Sequence, residues 1–147
     1  MKVVIQRVNS SSVLVEGKVV GSIEKGMCIL VGFSVTDTFK DIEKLVKKIV
    51  KLRIFDDEEG IMNKSISDID GSILSISQFT LYANTKGGNR PSYTNSMNKS
   101  EAIILYDMFN KLLKEHNIKV KTGIFGAEME LLINNDGPVT IIFDSEV

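Results

Sequence analysis

The sequence predicts an α+β fold, a strand-rich two-layer β structure with two main helices packed on one side. Two observations carry this reading. Short apolar runs rich in β-branched residues and bounded by turn residues recur from Val3 to Phe33, from Ser72 to Ser77 and from Met129 to Phe143. Helical spacing of apolar residues is confined to two stretches, one ending near Val50 and the other running from Lys99 to His116.

Taken in order, Val3–Val8 and Val13–Glu16 read as two strands separated by Asn9-Ser10-Ser11-Ser12, and Gly17-Lys18 turns into a third strand over Val19–Ile23. Met27–Phe33 is apolar almost throughout, which predicts a central strand buried on both faces. The first third is therefore a meander of about four strands. Thr36, Asp37 or Thr38 offers an N-cap to a helix whose apolar stripe is Ile42, Leu45, Val46, Ile49 and Val50. Lys44, Lys47, Lys48 and Lys51 decorate its outer side as a solvated face, with phosphate binding as the competing reading. Arg53-Ile54-Phe55 is a short extended segment before the turn Asp56–Gly60. Its four adjacent carboxylates lack the alternating spacing of a calcium loop, so a solvated turn is expected.

Serine alternates with aliphatic residues from Ser72 to Ser77, the pattern of a half-buried strand. That strand runs into Gln78-Phe79-Thr80-Leu81 and then a polar, glycine-rich loop, Asn84–Ser92, of a length that usually has a function. In the second helix Ala102, Leu105, Phe109 and Leu112 form the apolar stripe, and His116 caps its end. Near the C-terminus Asn134–Thr140 carries one of the two prolines; Asp136-Gly137 between two apolar runs reads as a hairpin turn. The following Pro138 removes a backbone donor where the returning strand should begin to pair, and its bond to Gly137 is a candidate for the cis form.

A chain of 147 residues, 43% of them hydrophobic, is expected to form a single domain, residues 1–147, able to bury its own core. Cys28, the only cysteine, sits in an apolar strand and reads as a buried residue, so no disulfide framework exists and a reducing, cytoplasmic setting is expected. The N-terminus reads as a strand rather than a signal peptide, and no run approaches membrane-spanning length. Eighteen basic against nineteen acidic residues leave a net charge of −1, which argues against wrapping a nucleic-acid backbone. Neither DNA nor a membrane is an expected partner, and any RNA contact must be local, at an end or a loop.

The inventory also removes the usual hydrolytic machines. One cysteine and one histidine make no zinc cluster; no serine has a glycine-flanked elbow, and no G-x-G-x-x-G or P-loop occurs. No cofactor and no metal are expected. What remains is Ser77-Gln78-Phe79-Thr80 beside a glycine-rich loop, where backbone N–H groups can hold a polarised carbonyl.

Ser77-Gln78-Phe79-Thr80-Leu81, taken with Asn135-Asp136-Gly137-Pro138-Val139-Thr140, resembles the paired signature of the D-aminoacyl-tRNA deacylases. Gln6-Arg7-Val8, Arg53-Ile54-Phe55, Asn89-Arg90-Pro91-Ser92, Thr122-Gly123 and Phe125-Gly126-Ala127 with Met129 add to the resemblance, which spans residue 1 to about 143. It implies a barrel-like homodimer that binds the aminoacyl-tRNA 3′ end and cleaves the ester of a D-amino acid, or glycine, on the terminal adenosine. By the same resemblance Gly137 and Pro138 form a cis chiral gate that enters the partner subunit's pocket, and Arg7 braces it. Ser77, Gln78, Phe79 and Thr80 form the catalytic segment, and Phe125, Gly126, Ala127 and Met129 the adenosine site. The family picture assigns activation to the 2′-hydroxyl of the terminal ribose; the rival is a Thr80 nucleophile, for which the sequence offers no base. Ile124 departs from the pattern, standing where a basic residue is frequent, and Tyr93 replaces a usual phenylalanine. The competing function is a non-catalytic homodimer that binds a tRNA 3′ end or a nucleotide.

Overall fold

The computed structural model describes residues 1–147 and holds eight strands and two α-helices. β1 (Lys2–Val15) is the strand from which the sheet is built. β8 (Glu130–Asp144) pairs with it antiparallel from Lys2↔Asp144 to Leu14↔Glu130, covering one whole edge. A strand has two edges, so its other two partners must share the second. β3 (Gly26–Gly32) takes Lys2–Val8, and β2 (Lys18–Ile23) takes Ser11–Val15. β6 (Ser72–Ser77) and β7 (Lys119–Thr122) extend the sheet from β3 in parallel. The sheet curls into a nearly closed barrel, bringing β2 against β7. At Gly21 the approach is close enough that a side chain's first carbon would lie 2.6 Å from the Thr122 carbonyl oxygen.

The opening meander therefore has three strands rather than four. Asn9–Ser12 does not break β1, because ladders on both sides hold it extended: Ser11 lies opposite Ile23 and Ile133, and its buried hydroxyl donates to the Leu132 carbonyl at 2.7 Å. Context outweighs the loop preference of serine and asparagine here. β3 is buried on both faces, as expected. Met27, Ile29 and Val31 face the larger core and Cys28 the smaller one, where burial pushes its thiol pKa up and leaves it inert. β6 departs from the half-buried reading, since Ile73 to Ile76 are all buried between those two cores. Its serines reflect neighbours on both sides rather than a wet face.

α1 (Phe39–Val50) and α2 (Lys99–Glu115) pack together over one side of the sheet. Ile42, Leu45, Val46 and Ile49 of α1 join Leu105, Phe109 and Leu113 of α2 in the larger core. Leu113 is the buried residue of the last turn, with Leu112 only partly covered. Thr38 is the N-cap of α1, and the Asp41 carboxylate accepts from its backbone N–H and hydroxyl, each at 2.8 Å. His116 is the C-cap of α2, its backbone N–H donating to the Leu113 and Lys114 carbonyls. β4 (Phe55–Asp56) and β5 (Met62–Lys64) flank the acidic turn. Neither helix is long and apolar enough to cross a membrane.

The hairpin expected at Asp136-Gly137 does not exist. Both apolar runs lie in β8 and both pair with β1, so the chain never reverses. Between Gln6↔Thr140 and Val8↔Asn135, four residues of β8 stand opposite the single residue Arg7. The segment is a large bulge, and a proline is admissible there because a bulged residue has no ladder bond to make.

The capping carboxylate of Asp41 has its pKa lowered chiefly by the Thr38 backbone N–H, then by the Thr38 hydroxyl. A carboxylate depressed in the folded state stabilises above its unfolded pKa and loses that contribution as pH falls through the folded value. Asp41→Ala is expected to cost about 1 kcal/mol at pH 7. Denaturant unfolding should show that difference closing at pH 2–3; a constant difference would contradict the capping account.

Candidate functional site

The segment Ser77–Leu81 leaves the C-terminal end of β6 and crosses the end of β3. The Gln78 backbone N–H donates to the Val31 carbonyl at 2.7 Å, after which Phe79–Tyr82 closes into a short 3₁₀ turn rather than prolonging the strand. Gly32 permits the crossing, since a side chain's first carbon there would lie 2.6 Å from the Gln78 carbonyl oxygen. As at the start of any helical turn, the first N–H groups lack an internal partner. Those of Phe79 and Thr80 donate to no protein acceptor.

The Thr80 hydroxyl meets only the Gln78 side-chain amide, which is no base in either orientation. Phe79 is exposed and packs edge-on against Tyr93, ring centroids 5.0 Å apart. Opposite this segment the loop after β7 is held by Phe125, whose ring lies 5.6 Å from that of Tyr106. The buried Tyr106 hydroxyl donates to the Ser75 carbonyl at 2.8 Å, tying α2 to β6; burial pushes its pKa up, partly offset by that bond. Gly126 turns the loop with φ +76° and gives room to the side chain of Lys99.

Between the two segments lies a cavity of about 560 Å³, lined mostly by apolar groups. Of the residues the sequence singled out, Ser77, Gln78 and Phe79 form one wall, and Phe125, Gly126, Ala127 and Met129 the other. Thr80 lies just beyond the wall, and Arg7, Gly137 and Pro138 are no part of it. Sequence reasoning passed over Gly32, Met97, Lys99 and Glu128, which also line the cavity. Lys99 and Glu128 carried no signal, because each looks like one more surface charge in a polar stretch.

Arg7, Gly137 and Pro138 form a second group on the β8 bulge. The Gly137–Pro138 bond is cis, Gly137 has φ +119°, and both residues are exposed. Arg7 is buried beneath them. Its Nε donates to the Asp136 carbonyl and lies 3.2 Å from the Asp136 carboxylate. Its Nη1 donates to the Ile54 carbonyl at 2.8 Å and to the Asp56 carboxylate at 3.1 Å. Asp56 is thus more than a solvated turn residue, and a first side-chain carbon on Gly137 would lie 3.2 Å from Arg7 Nη2.

The family model for D-Tyr-tRNA(Tyr) deacylase matches residues 4–144. The chain belongs to that family. It is 52% identical over 146 residues to a D-aminoacyl-tRNA deacylase of Bacillus velezensis, covering 99% of each chain. It is likewise 52% identical over 147 residues to one of Thermosipho melanesiensis, covering 99% of this chain and 98% of the relative. Among solved structures, one described as "c-Myc DNA Unwinding Element Binding Protein" superposes with a TM-score of 0.92 at 41% identity, over 98% of each chain. A probable eukaryotic D-amino acid tRNA deacylase superposes at 0.80 over 97% of each chain; at 20% identity this bears on the fold. The protein is accordingly a hydrolase that edits aminoacyl-tRNA; of the two segments that carry the resemblance, Ser77–Phe79 lines the cavity and Asn135–Thr140 stands outside it.

Arg7→Met would strip the bulge of its buried guanidinium, at a cost of about 2 kcal/mol in unfolding free energy. Hydrogen exchange of residues 135–139 should accelerate at the same time. Unchanged exchange there would mean that Arg7 does not hold the loop.

Proposed function

We propose that the chain hydrolyses the ester between a D-amino acid, or glycine, and the 3′-terminal adenosine of tRNA, acting as a cytoplasmic homodimer in which each subunit's Gly137–Pro138 bulge closes the other's cavity. The observation that carries this reading is the division of the predicted residues into two separate groups. Ser77, Gln78 and Phe79 share a cavity with Phe125 and Met129, whereas Gly137 and Pro138 stand exposed outside it. A gate that does not reach its own subunit's cavity has to work on another's. β8 supports a second copy as the neighbour, because it pairs only with β1, leaving a 15-residue edge open with Leu132 and Ile142 exposed.

Within the cavity, Phe125 and Met129 offer an apolar wall for the adenine. The unpartnered Phe79 and Thr80 N–H groups suit the oxygen that becomes negative when the ester carbonyl turns tetrahedral. No side chain next to Thr80 can take its proton, which argues against a threonine nucleophile. The 2′-hydroxyl of the terminal ribose fills the gap by activating water. The water oxygen bonds to the carbonyl carbon, the bond to the 3′-oxygen breaks, and that oxygen leaves protonated as free tRNA. The enzyme contributes position and amide dipoles. A gate of backbone atoms over the α-carbon rejects an L side chain by collision, a discrimination that favourable contacts alone achieve poorly. Glycine, with nothing to collide, passes. Gln78 orients the segment through its bond to the Thr80 hydroxyl.

Following ester loss from D- and L-aminoacyl-tRNA tests the reading: hydrolysis of the D form alone supports it, and protection of both would favour a non-catalytic binder of the tRNA end. A strict monomer in a size measurement is incompatible with a gate acting in trans. Thr80→Ala should keep at least about a tenth of the wild-type rate, losing orientation but no nucleophile. Transfer RNA ending in 2′-deoxyadenosine should be nearly inert, and normal turnover of it would refute the role of the ribose.

A further inference from the structure

Lys99 is the only basic residue among those lining the cavity. It is the first residue of α2, directly after the cap Asn98, where the helix dipole is positive and a cation is disfavoured. The same turn holds the opposite preference at Glu101, whose backbone N–H and carboxylate both bond to the Asn98 side chain. No carboxylate compensates Lys99. It takes part in none of the ion pairs of the fold, and Glu128, the acidic residue of the cavity wall, makes none either. Its side chain is nevertheless brought against the cavity rim. A first side-chain carbon on Gly126 would lie 2.5 Å from Lys99 Nζ and 2.6 Å from Cε, so the missing side chain at Gly126 makes room for the lysine. The neighbouring Ile124 is exposed and brings no charge to the same loop.

We infer that Lys99 is a substrate-binding residue, contacting the phosphodiester that joins the terminal adenosine of the tRNA to the preceding nucleotide. The inference rests on the deacylase reading and extends it. Lys99 is exposed, so water solvates it in the free protein, and an anion that arrives with the ligand at the cavity rim meets there a cation that no carboxylate neutralises. In an aminoacylated RNA terminus the amino acid carries a positive α-amino group and the nucleoside is neutral. The nearest negative charge is that phosphodiester, which leaves the adenosine from its 5′ side and so emerges at the rim rather than at the ester. Lys99 therefore governs how well the RNA end is held and leaves the chemical step alone.

The test compares wild type, Lys99→Gln and Lys99→Arg on two substrates, D-aminoacyl-tRNA and the 3′-O-(D-aminoacyl) ester of adenosine, which has no phosphate. On the tRNA, Lys99→Gln should raise KM about 10-fold with kcat within about 2-fold, and Lys99→Arg should restore most of the loss. The fall of log kcat/KM with log salt should become shallower by about 0.7 in the glutamine variant, one phosphate contact on a single strand. On the adenosine ester all three proteins should perform alike, and the glutamine variant should melt no lower than wild type. Equal kcat/KM of wild type and Lys99→Gln on the tRNA overturns the assignment, as does a matching loss on the adenosine ester, which would mean a structural role. A wild type inactive on both substrates overturns the deacylase reading and this assignment with it.

Discussion

The architecture turns on one interrupted ladder. β1 and β8 pair over nearly their full length, and at Arg7 four residues of β8 confront a single residue of β1. A protruding segment of that kind loses its ladder bonds and must find others. Arg7 supplies them from beneath, since its guanidinium reaches the Asp136 carbonyl and carboxylate on one side and the Ile54 carbonyl and Asp56 carboxylate on the other. The planar fork of arginine spans these acceptors at fixed angles, which a lysine at the same place would not. The exposed Gly137–Pro138 tip is thus carried on a buried ion-pair network joining β1, β4 and β8.

The cavity is held together by different contacts. Its walls are the two ends of parallel neighbours, β6 and β7, covered by α2, and the Tyr106 hydroxyl pins that helix to the Ser75 carbonyl. Phe125 leans on the same tyrosine, so one buried side chain positions a wall of the site and a helix of the core together. What the cavity presents is the Phe79 and Thr80 N–H groups at the start of a 3₁₀ turn, an apolar wall, and the charged side chains of Lys99 and Glu128.

Much of this was legible in the residues. The α1 stripe, an N-cap among Thr36, Asp37 and Thr38, the doubly buried β3, the inert Cys28 and the C-cap at His116 follow from spacing and residue chemistry acting within a few residues. The serine-rich stretch in β1 and the alternating serines of β6 misled for a shared reason: both segments have ladder partners on each side, and partners far away in sequence decide whether a small polar residue bends or extends. Asp56 looked like part of a solvated turn because its partner, Arg7, is 49 residues away. Lys99 had no signature, since a lysine near a helix start belongs to a binding site only once the loop around Gly126 folds against it.

The sequence by itself determined the α+β class, the two helices and, through the pairing of Ser77–Leu81 with Asn135–Thr140, the family. Those features are local or are carried by short motifs whose residue types their chemistry restricts. The tertiary structure alone decided that Asn134–Thr140 is a bulge in a continuous strand and not a hairpin. A turn signal states only that the chain leaves its ladder, and whether it reverses or rejoins depends on β1 lying alongside both halves. It also decided which motifs share a cavity and which stand apart from it, because proximity across 40 or 50 residues is a property of packing that no spacing encodes.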